Sequence, residues 1–390
     1  MKIFLAGQAY YRRDNGQAVF TINLAEGLAA NGHRVVVLAP SETQKAERHL
    51  DHGVKIQAVP AIPLVDNTNI TVFSGGLIEQ ILDEVQPDVI HIQDHYFLSH
   101  SVLAAARARR IPIVGTNHFL PENITDNFLH HFPFSQWAHK PLDHLLWVSM
   151  LSVYNQLAAV STPTETAASI LRGQGIHVPV SAISCGVDVK RFRPRPTLNR
   201  RMIRQKYGLA LDRVVMLYVG RLDREKDLDI LVDAMAQFGR RDIQLAIVGK
   251  GSFRNELERL REKFGLHDTI VLPGFVPDND LPLLFNSVDL FVMPGHAELQ
   301  SIATLEAMAS GLPILAARAR ALPELVIHGV NGYLFTVRDS ISAACGIRQL
   351  IQQRAQWPQM GAVSRAKAEA HDHQKVVAQY VEWYRQLRRN

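Results

Sequence analysis

Cysteine is almost absent. The 390-residue chain has two, Cys185 and Cys345, far apart and outside any CxxC pair. That argues against a disulfide framework or a cysteine zinc site and fits a reducing compartment. Long apolar runs are missing too. No stretch approaches the roughly 18 to 20 residues that a membrane span needs. The opening "MKIFLAG" turns polar at once, unlike a signal peptide. The expected location is cytoplasmic, at most peripheral to the inner face of a membrane. No GxGxxG fingerprint follows a strand signal, which disfavours a dinucleotide-dependent dehydrogenase. No recognition motif accompanies the positive charge, so nucleic acid is not an expected partner.

What is present is globular composition, 47% hydrophobic and 20% charged, in a chain long enough for about two domains. Charge is uneven. Residues 1 to 190 carry a net of −3 and the remainder +8. The surplus gathers in "KRFRPRPTLNRRMIRQK" (190 to 206) and in the tail "YRQLRRN". This is either a solvated linker with a frayed end or a surface for phosphates or an acidic membrane face.

The first half alternates short apolar strands ("KIFLAG", "HRVVVLAP", "DVIHIQ", "PIVGT", "LAAVST") with helical patterns such as "QAVFTINLAEGLAANG", closed by Gly32. The pattern breaks near residue 190, where Pro194 and Pro196 mark a hinge. It restarts with "VVMLYVG", "IQLAIVG", "TIVLPG", "LFVMP" and "PILAA", interleaved with helices that end in glycine. A long helix is expected from about Ala362 to Arg388. Tandem doubly wound α/β sheets bind ligands at the carboxyl ends of their strands.

Several residues there could carry chemistry. In "VGRLDREKDLDIL", Arg221 and Lys226 follow a strand, where two cations suit a pyrophosphate; ion pairing with Asp223, Glu225 and Asp227 is an equal alternative. Gly249 and Gly251 of "VGKGSFRNEL" suit either close backbone approach to a ligand or a tight turn. In "PGHAELQSIATLEAMASGLP", Ser301 is a candidate N-cap, Glu298 lies in the loop before it, and Glu306 lies inside the helix. A buried acid needs partners, and paired sugar hydroxyls would serve; a salt bridge would serve as well. Gly16 precedes the first helix. His91, Asp94 and His95 of "HIQDH" and His118 of "GTNHFLPEN" end two strands, and two strands delivering histidines to one edge suggest a site. The spacing of His91 and His95 does not favour a metal. The stretch 128 to 157, with Phe128, Phe132, Phe134, Trp137, Trp147 and Tyr154, is either core or an acceptor surface for a lipid.

In this order the motifs resemble those of retaining glycosyltransferases of family 4, over nearly the whole chain. The features are Asn15-Gly16, His118, "CGVD…RFRP", "GRLDREKDLDIL", "GKGS", and Glu298 and Glu306 in "HAELQSIATLEAMASGLPILA" followed by "ELVIHGVNGYLF". The subgroup looks most like members acting on lipid or other small acceptors. The resemblance implies the α/β GT-B fold, two Rossmann-like doubly wound domains facing a central cleft. Residues 1–190 would bind the acceptor and 191–370 the nucleotide sugar, and 371–390 would pack back on the first domain. It implies a metal-independent hexosyltransferase with no cofactor, using a UDP- or GDP-sugar. Arg221 and Lys226 would neutralise the diphosphate, and Glu306 would take the ribose hydroxyls. Glu298 would meet the donor hexose, with Leu299, Gln300 and Ser301 near sugar and phosphate. Gly249 and Lys250 would shape the nucleotide site, Gly16 would approach the donor phosphates, and His118 would reach the sugar. His91, Asp94 and His95 are placed on the acceptor side. The sequence departs from the family at Leu299-Gln300-Ser301, where glycine, phenylalanine and glycine are common. The alternatives are a sugar-nucleotide epimerase on the same fold and a non-catalytic sugar-binding protein.

Overall fold

The computed structural model describes residues 1–11, 15–63, 69–71, 75–123, 125 and 135–389. The chain divides into two compact units. The first joins Met1–Pro121, Lys140–Cys185 and His373–Asn390, and the second is centred on Gly186–Asp372.

The first unit is built on an eight-stranded sheet. Its spatial order is β10 (Val180–Ala182), β9 (Ala159–Thr162), β8 (Ile113–Thr116), β7 (Val89–Ile92), β1 (Lys2–Ala6), β2 (Arg34–Pro40), β4 (Val54–Val59) and β3 (Glu47–Asp51). All neighbours are parallel except the exposed edge pair β3–β4. Strands β5 (Ala61–Pro63) and β6 (Asn69–Thr71) form a separate antiparallel pair. β1, β7 and β8 are buried almost throughout, because a parallel sheet covered on both faces needs continuous apolar strands rather than alternating ones. Sequence order proceeds outward from β1 to β2 and returns to β7 on its other side. The carboxyl ends of β1 and β7 are therefore the topological switch point, where such sheets receive ligands.

The second unit repeats the plan with six parallel strands: β13 (Ile270–Gly274), β12 (Ile243–Val248), β11 (Val214–Val219), β14 (Leu290–Met293), β15 (Ile314–Ala317) and β16 (Gly332–Phe335). Leu217, Phe291 and Leu315 are fully buried at its centre. Its switch point lies between β11 and β14.

Two features depart from the sequence reading, and a third selects between its alternatives. The expected helix from Ala362 to Arg388 is two helices, Trp357–Ala370 and His373–Arg389. It breaks because the His371 carbonyl accepts from Val187 N at 2.9 Å, and Val187 bridges Asp372. Second, four of the eight basic residues from 190 to 206 are paired with carboxylates of the same unit. Arg191 pairs with Asp278 at 2.7 Å, Lys206 with Asp280 at 2.5 Å, and Arg200 and Arg204 with Asp289 at 2.6 and 2.7 Å. Third, Trp147 and Tyr154 are core residues, although Leu145 and Val148 on the same helix (Ser135–Tyr154) are exposed. Phe128, Phe132 and Phe134 lie outside the described residues, as does the Trp137 side chain. No described helix is long and apolar enough to cross a membrane.

Candidate active site

In the second unit the switch point carries a dense charge cluster. β11 ends at Val219, and the chain turns through Arg221 into a short 3-10 turn, Arg224–Lys226, before the helix Leu228–Phe238. The Tyr218 hydroxyl donates to the Arg221 carbonyl at 2.8 Å, which holds the turn against the sheet. The Arg221 guanidinium reaches both Asp223 and the buried Glu225, the latter at 2.5 Å. Lys226 Nζ lies 2.7 Å from Glu298 Oε1 and 3.3 Å from Glu225 Oε1. Burial alone would lower the Lys226 pKa, but Glu298 and Glu225 outweigh it and raise it above the usual lysine value. For Arg221, Glu225 and Asp223 likewise overcome burial and raise the pKa. Both cations stay charged at any working pH, each held against carboxylates.

After β14 the chain runs through Gly295 and His296 to Glu298. Ser301 caps the helix Ile302–Ala309, accepting from Thr304 N at 3.1 Å, so the cap falls where the sequence places it. Glu298, Leu299, Gln300 and Ser301 are all buried in this loop. Glu298 and Glu306 do not share one helical face, because Glu298 is not helical and points to Lys226. The Glu306 carboxyl has no hydrogen-bond or ion-pair partner among the described residues. Burial pushes its pKa up to about 8, against a lowering by Arg191 and with a further rise from Asp278. An acid in that state keeps its proton near neutral pH, and hydroxyl donors would favour its ionised form.

Glycine is obligatory at 249. Its φ is +145°, and a Cβ there would sit 1.8 Å from the Gly220 carbonyl oxygen. This close approach locks the β12 turn onto the β11 turn, with Lys250 over the Phe275 ring at 4.7 Å. Gly251 is as tightly held, its Cβ position 2.3 Å from the Leu222 carbonyl oxygen.

In the first unit the helix Gly16–Ala30 starts at the Asn15 cap, and a Cβ on Gly16 would meet nothing within 4 Å. Asp94 is buried and accepts from Gln8 N at 2.6 Å, Tyr96 N at 3.0 Å, Ser99 Oγ at 3.0 Å and Gln17 Nε2 at 3.1 Å. Burial raises its pKa and these bonds offset the rise. Its work is to clamp the β1 loop to the β7 loop. His91 is wholly buried, with Nδ1 2.6 Å from the Tyr384 hydroxyl and Nε2 2.6 Å from Thr116 Oγ1. Both ring nitrogens are thus committed to the interior, and no surface is left to meet an acceptor. His95 is buried among Tyr96, Phe119 and Tyr154. His118 keeps some exposure, packs on Phe20 at 4.7 Å between ring centres, and meets Gln93 Oε1 at 3.1 Å. Burial lowers the pKa of His91 to about 3, with His118 adding to the effect, that of His95 to about 4, and that of His118 to about 3.

The family described as Glycosyltransferase Family 4 matches residues 14–191, and that described as Glycosyl transferases group 1 matches residues 199–367. A GDP-mannose-dependent alpha-mannosyltransferase of Corynebacterium glutamicum is 31% identical over 87% of this chain and 78% of its own. The chain belongs to glycosyltransferase family 4. An alpha-monoglucosyldiacylglycerol synthase of Streptococcus pneumoniae is 23% identical over 88% of this chain and 77% of its own. Among solved structures, Anabaena HepE in complex with UDP-glucose superposes with a TM-score of 0.80 at 21% identity, covering 99% of this chain and 100% of that one. The fold is GT-B.

Within this glycosyltransferase, which moves sugar from a nucleotide sugar, the second unit brings Arg221, Lys226, Glu298 and Gly249 to one sheet edge. The first unit brings Gly16, Asp94, His95 and His118 to another, and keeps His91 inside. Sequence reasoning missed a second network. Asp227, in the left-handed region at φ 47°, accepts from His296 Nδ1 at 2.6 Å and Arg338 Nε at 3.1 Å. Asp227 adjoins Lys226, and His296 lies two residues before Glu298, so this bond straps the cation turn to the acid loop. Its positions are 69 residues apart in sequence, and nothing local signals the pairing. Among the described residues no three metal-donor side chains are grouped to hold an ion.

Proposed function

We propose that the enzyme is a retaining hexosyltransferase that takes its sugar from a UDP- or GDP-hexose and delivers it to a hydroxyl of a small or lipid-linked acceptor. The observation that carries this is the Lys226–Glu298 pair at 2.7 Å, with Arg221 beside it at the switch point of the second sheet. Arg221 and Lys226 meet the diphosphate and stabilise its charge as it departs, which is the largest electrostatic demand of the reaction. The chain meets that demand with its own cations. Glu306 accepts from the ribose hydroxyls. Glu298, already oriented by Lys226, meets a hexose hydroxyl. The bond from the sugar anomeric carbon to the diphosphate oxygen breaks, and the acceptor oxygen bonds to that carbon on the same face. The acceptor proton passes to an oxygen of the departing diphosphate.

The internal pairing of half of the basic stretch weakens one argument for a membrane partner. The exposed Leu145 and Val148 and the diacylglycerol-acting relative support a lipid-linked hydroxyl. The test is a thermal-shift screen of UDP- and GDP-hexoses, followed by product analysis against lipid and soluble acceptors in parallel. Stabilisation by one donor, an alpha-linked product, and loss of transfer in Lys226→Ala with an unchanged fold are expected. Full turnover in Lys226→Ala would overturn the site. Interconversion of the donor sugar without an acceptor would favour an epimerase.

A further inference from the structure

The switch point of the first sheet holds a side chain with no assigned part. Gln93 follows β7 and has no accessible surface. Its amide spans two groups. Nε2 lies 3.5 Å from the His91 carbonyl oxygen, and Oε1 lies 3.1 Å from His118 Nε2. A carbonyl oxygen only accepts, so the His91 carbonyl selects the NH2 end of the amide and turns the oxygen towards His118. The reverse orientation would set two acceptor oxygens face to face. An amide oxygen also only accepts, so His118 Nε2 must carry a hydrogen. Burial keeps this imidazole neutral at working pH. A neutral ring has one N–H, which leaves Nδ1 with a free lone pair. Among the described residues no donor engages Nδ1.

The arrangement is held from several sides. The Phe20 ring packs on His118, and Tyr380 packs on Phe20 at 5.8 Å between ring centres. Gly7 leaves room for Gln93, since a Cβ at position 7 would lie 2.8 Å from Gln93 Cβ.

We propose that Gln93 is a positioning residue that fixes His118 in the Nε2–H tautomer, so that Nδ1 is left to accept a hydrogen bond from a sugar hydroxyl. This rests on the reading of the enzyme as a hexosyltransferase. It makes His118 an acceptor only. The ring selects a hydroxyl over a carboxylate or carbonyl oxygen, and it neither gives nor takes a proton during transfer.

The test uses the full chain with 15N-labelled histidine. Long-range proton–nitrogen spectra distinguish the two neutral tautomers from the imidazolium, and the His118 signal is assigned by its loss in His118→Gln. The unaltered enzyme without substrate is expected to show the Nε2–H form from pH 6 to 8. The Nδ1–H form or an imidazolium at pH 7 would overturn the proposal, and no variant is needed for that result. Gln93→Glu places a carboxylate against Nε2 and raises the pKa of the ring. An opposite charge is worth about 1 to 3 units on a ring that starts at about 3, so transfer in this variant should fall on acidification through about pH 4 to 6 and recover above it, while the unaltered enzyme shows no such limb in that range. A flat profile in folded Gln93→Glu would refute the positioning role. If the unaltered enzyme neither binds nor uses any UDP- or GDP-hexose, the sugar-hydroxyl role falls with the transferase reading. The substrate-free spectrum still reads the tautomer separately.

Discussion

Replacing Glu306 by glutamine should make the resting protein more stable and a poorer enzyme, and the stability gain should grow with pH. The folded carboxyl titrates at about 8 against an ordinary value of 4.5. A raised folded pKa means that the folded state holds the proton longer than the unfolded chain does. Stability from this group is therefore complete below 4.5 and is lost as pH rises through 8. Each unit of difference is worth about 1.4 kcal/mol, so the shift sets a ceiling of about 5 kcal/mol at pH 8.5. Partial exposure of the residue reduces this to about 2 to 3 kcal/mol. At pH 5.5 the gain should be about 1 kcal/mol or less. Thermal unfolding of the two proteins at both pH values should show a gap of several degrees at pH 8.5, closing towards pH 5.5. On the proposed ribose role of Glu306, loss of its charge-assisted bonds should weaken donor binding by about 1.5 to 3 kcal/mol, roughly 10- to 150-fold. In the unaltered enzyme, donor affinity should rise between pH 7 and 9, because ligand hydroxyls favour the ionised acid. A stability gap independent of pH, or a variant less stable at pH 8.5, would refute the assignment of a strained, partnerless acid.

The first unit should be acid-sensitive. His91, His95 and His118 resist protonation in the fold while the unfolded chain binds protons at its ordinary histidine value. Stability therefore falls below about pH 6.5, by up to about 2 kcal/mol for each histidine at pH 5. Hydrogen exchange at pH 5 and 7 should show β7 and β8 losing protection first, and equal loss in the second unit would contradict this. Tyr384→Phe leaves His91 Nδ1 buried and unpaired and should cost about 1 to 3 kcal/mol by urea unfolding; an unchanged midpoint would show that the bond carries no weight. Gly249→Ala should disrupt the second unit, since its Cβ would lie 1.8 Å from a carbonyl oxygen at positive φ, whereas Gly16→Ala, with open space around it, should leave unfolding unchanged. Equal thermal stability of the two glycine variants would contradict the geometry.

Much of this was written in local sequence. Continuous apolar strands and glycine-closed helices announce two doubly wound sheets, because strand burial and helix capping act over a few residues. Ser301 is legible as a cap for the same reason. The roles of His91 and Asp94 were not legible. A strand-end histidine looks the same whether it faces solvent or a tyrosine 293 residues away. The pairing of the basic stretch with Asp278, Asp280 and Asp289 is hidden likewise, since net charge says nothing of who neutralises whom. The edge strand β3 is fully exposed and lacks the apolar signal that marks a strand. The break at His371 comes from a tertiary hydrogen bond and has no proline or glycine to betray it.

The return of the final helix to the first unit has a consequence for biosynthesis. Tyr380 and Tyr384 are among the largest fully buried side chains, and they complete a sheet whose strands end at Ala182. A ribosome adding roughly 5 to 20 residues per second needs on the order of 10 to 40 seconds to travel from Cys185 to His373. During that interval the strand ends that Tyr380 and Tyr384 pack on wait for the helix His373–Arg389. A nascent chain is thus exposed to chaperones at its beginning, and a premature stop codon near its end would unmake the part translated first.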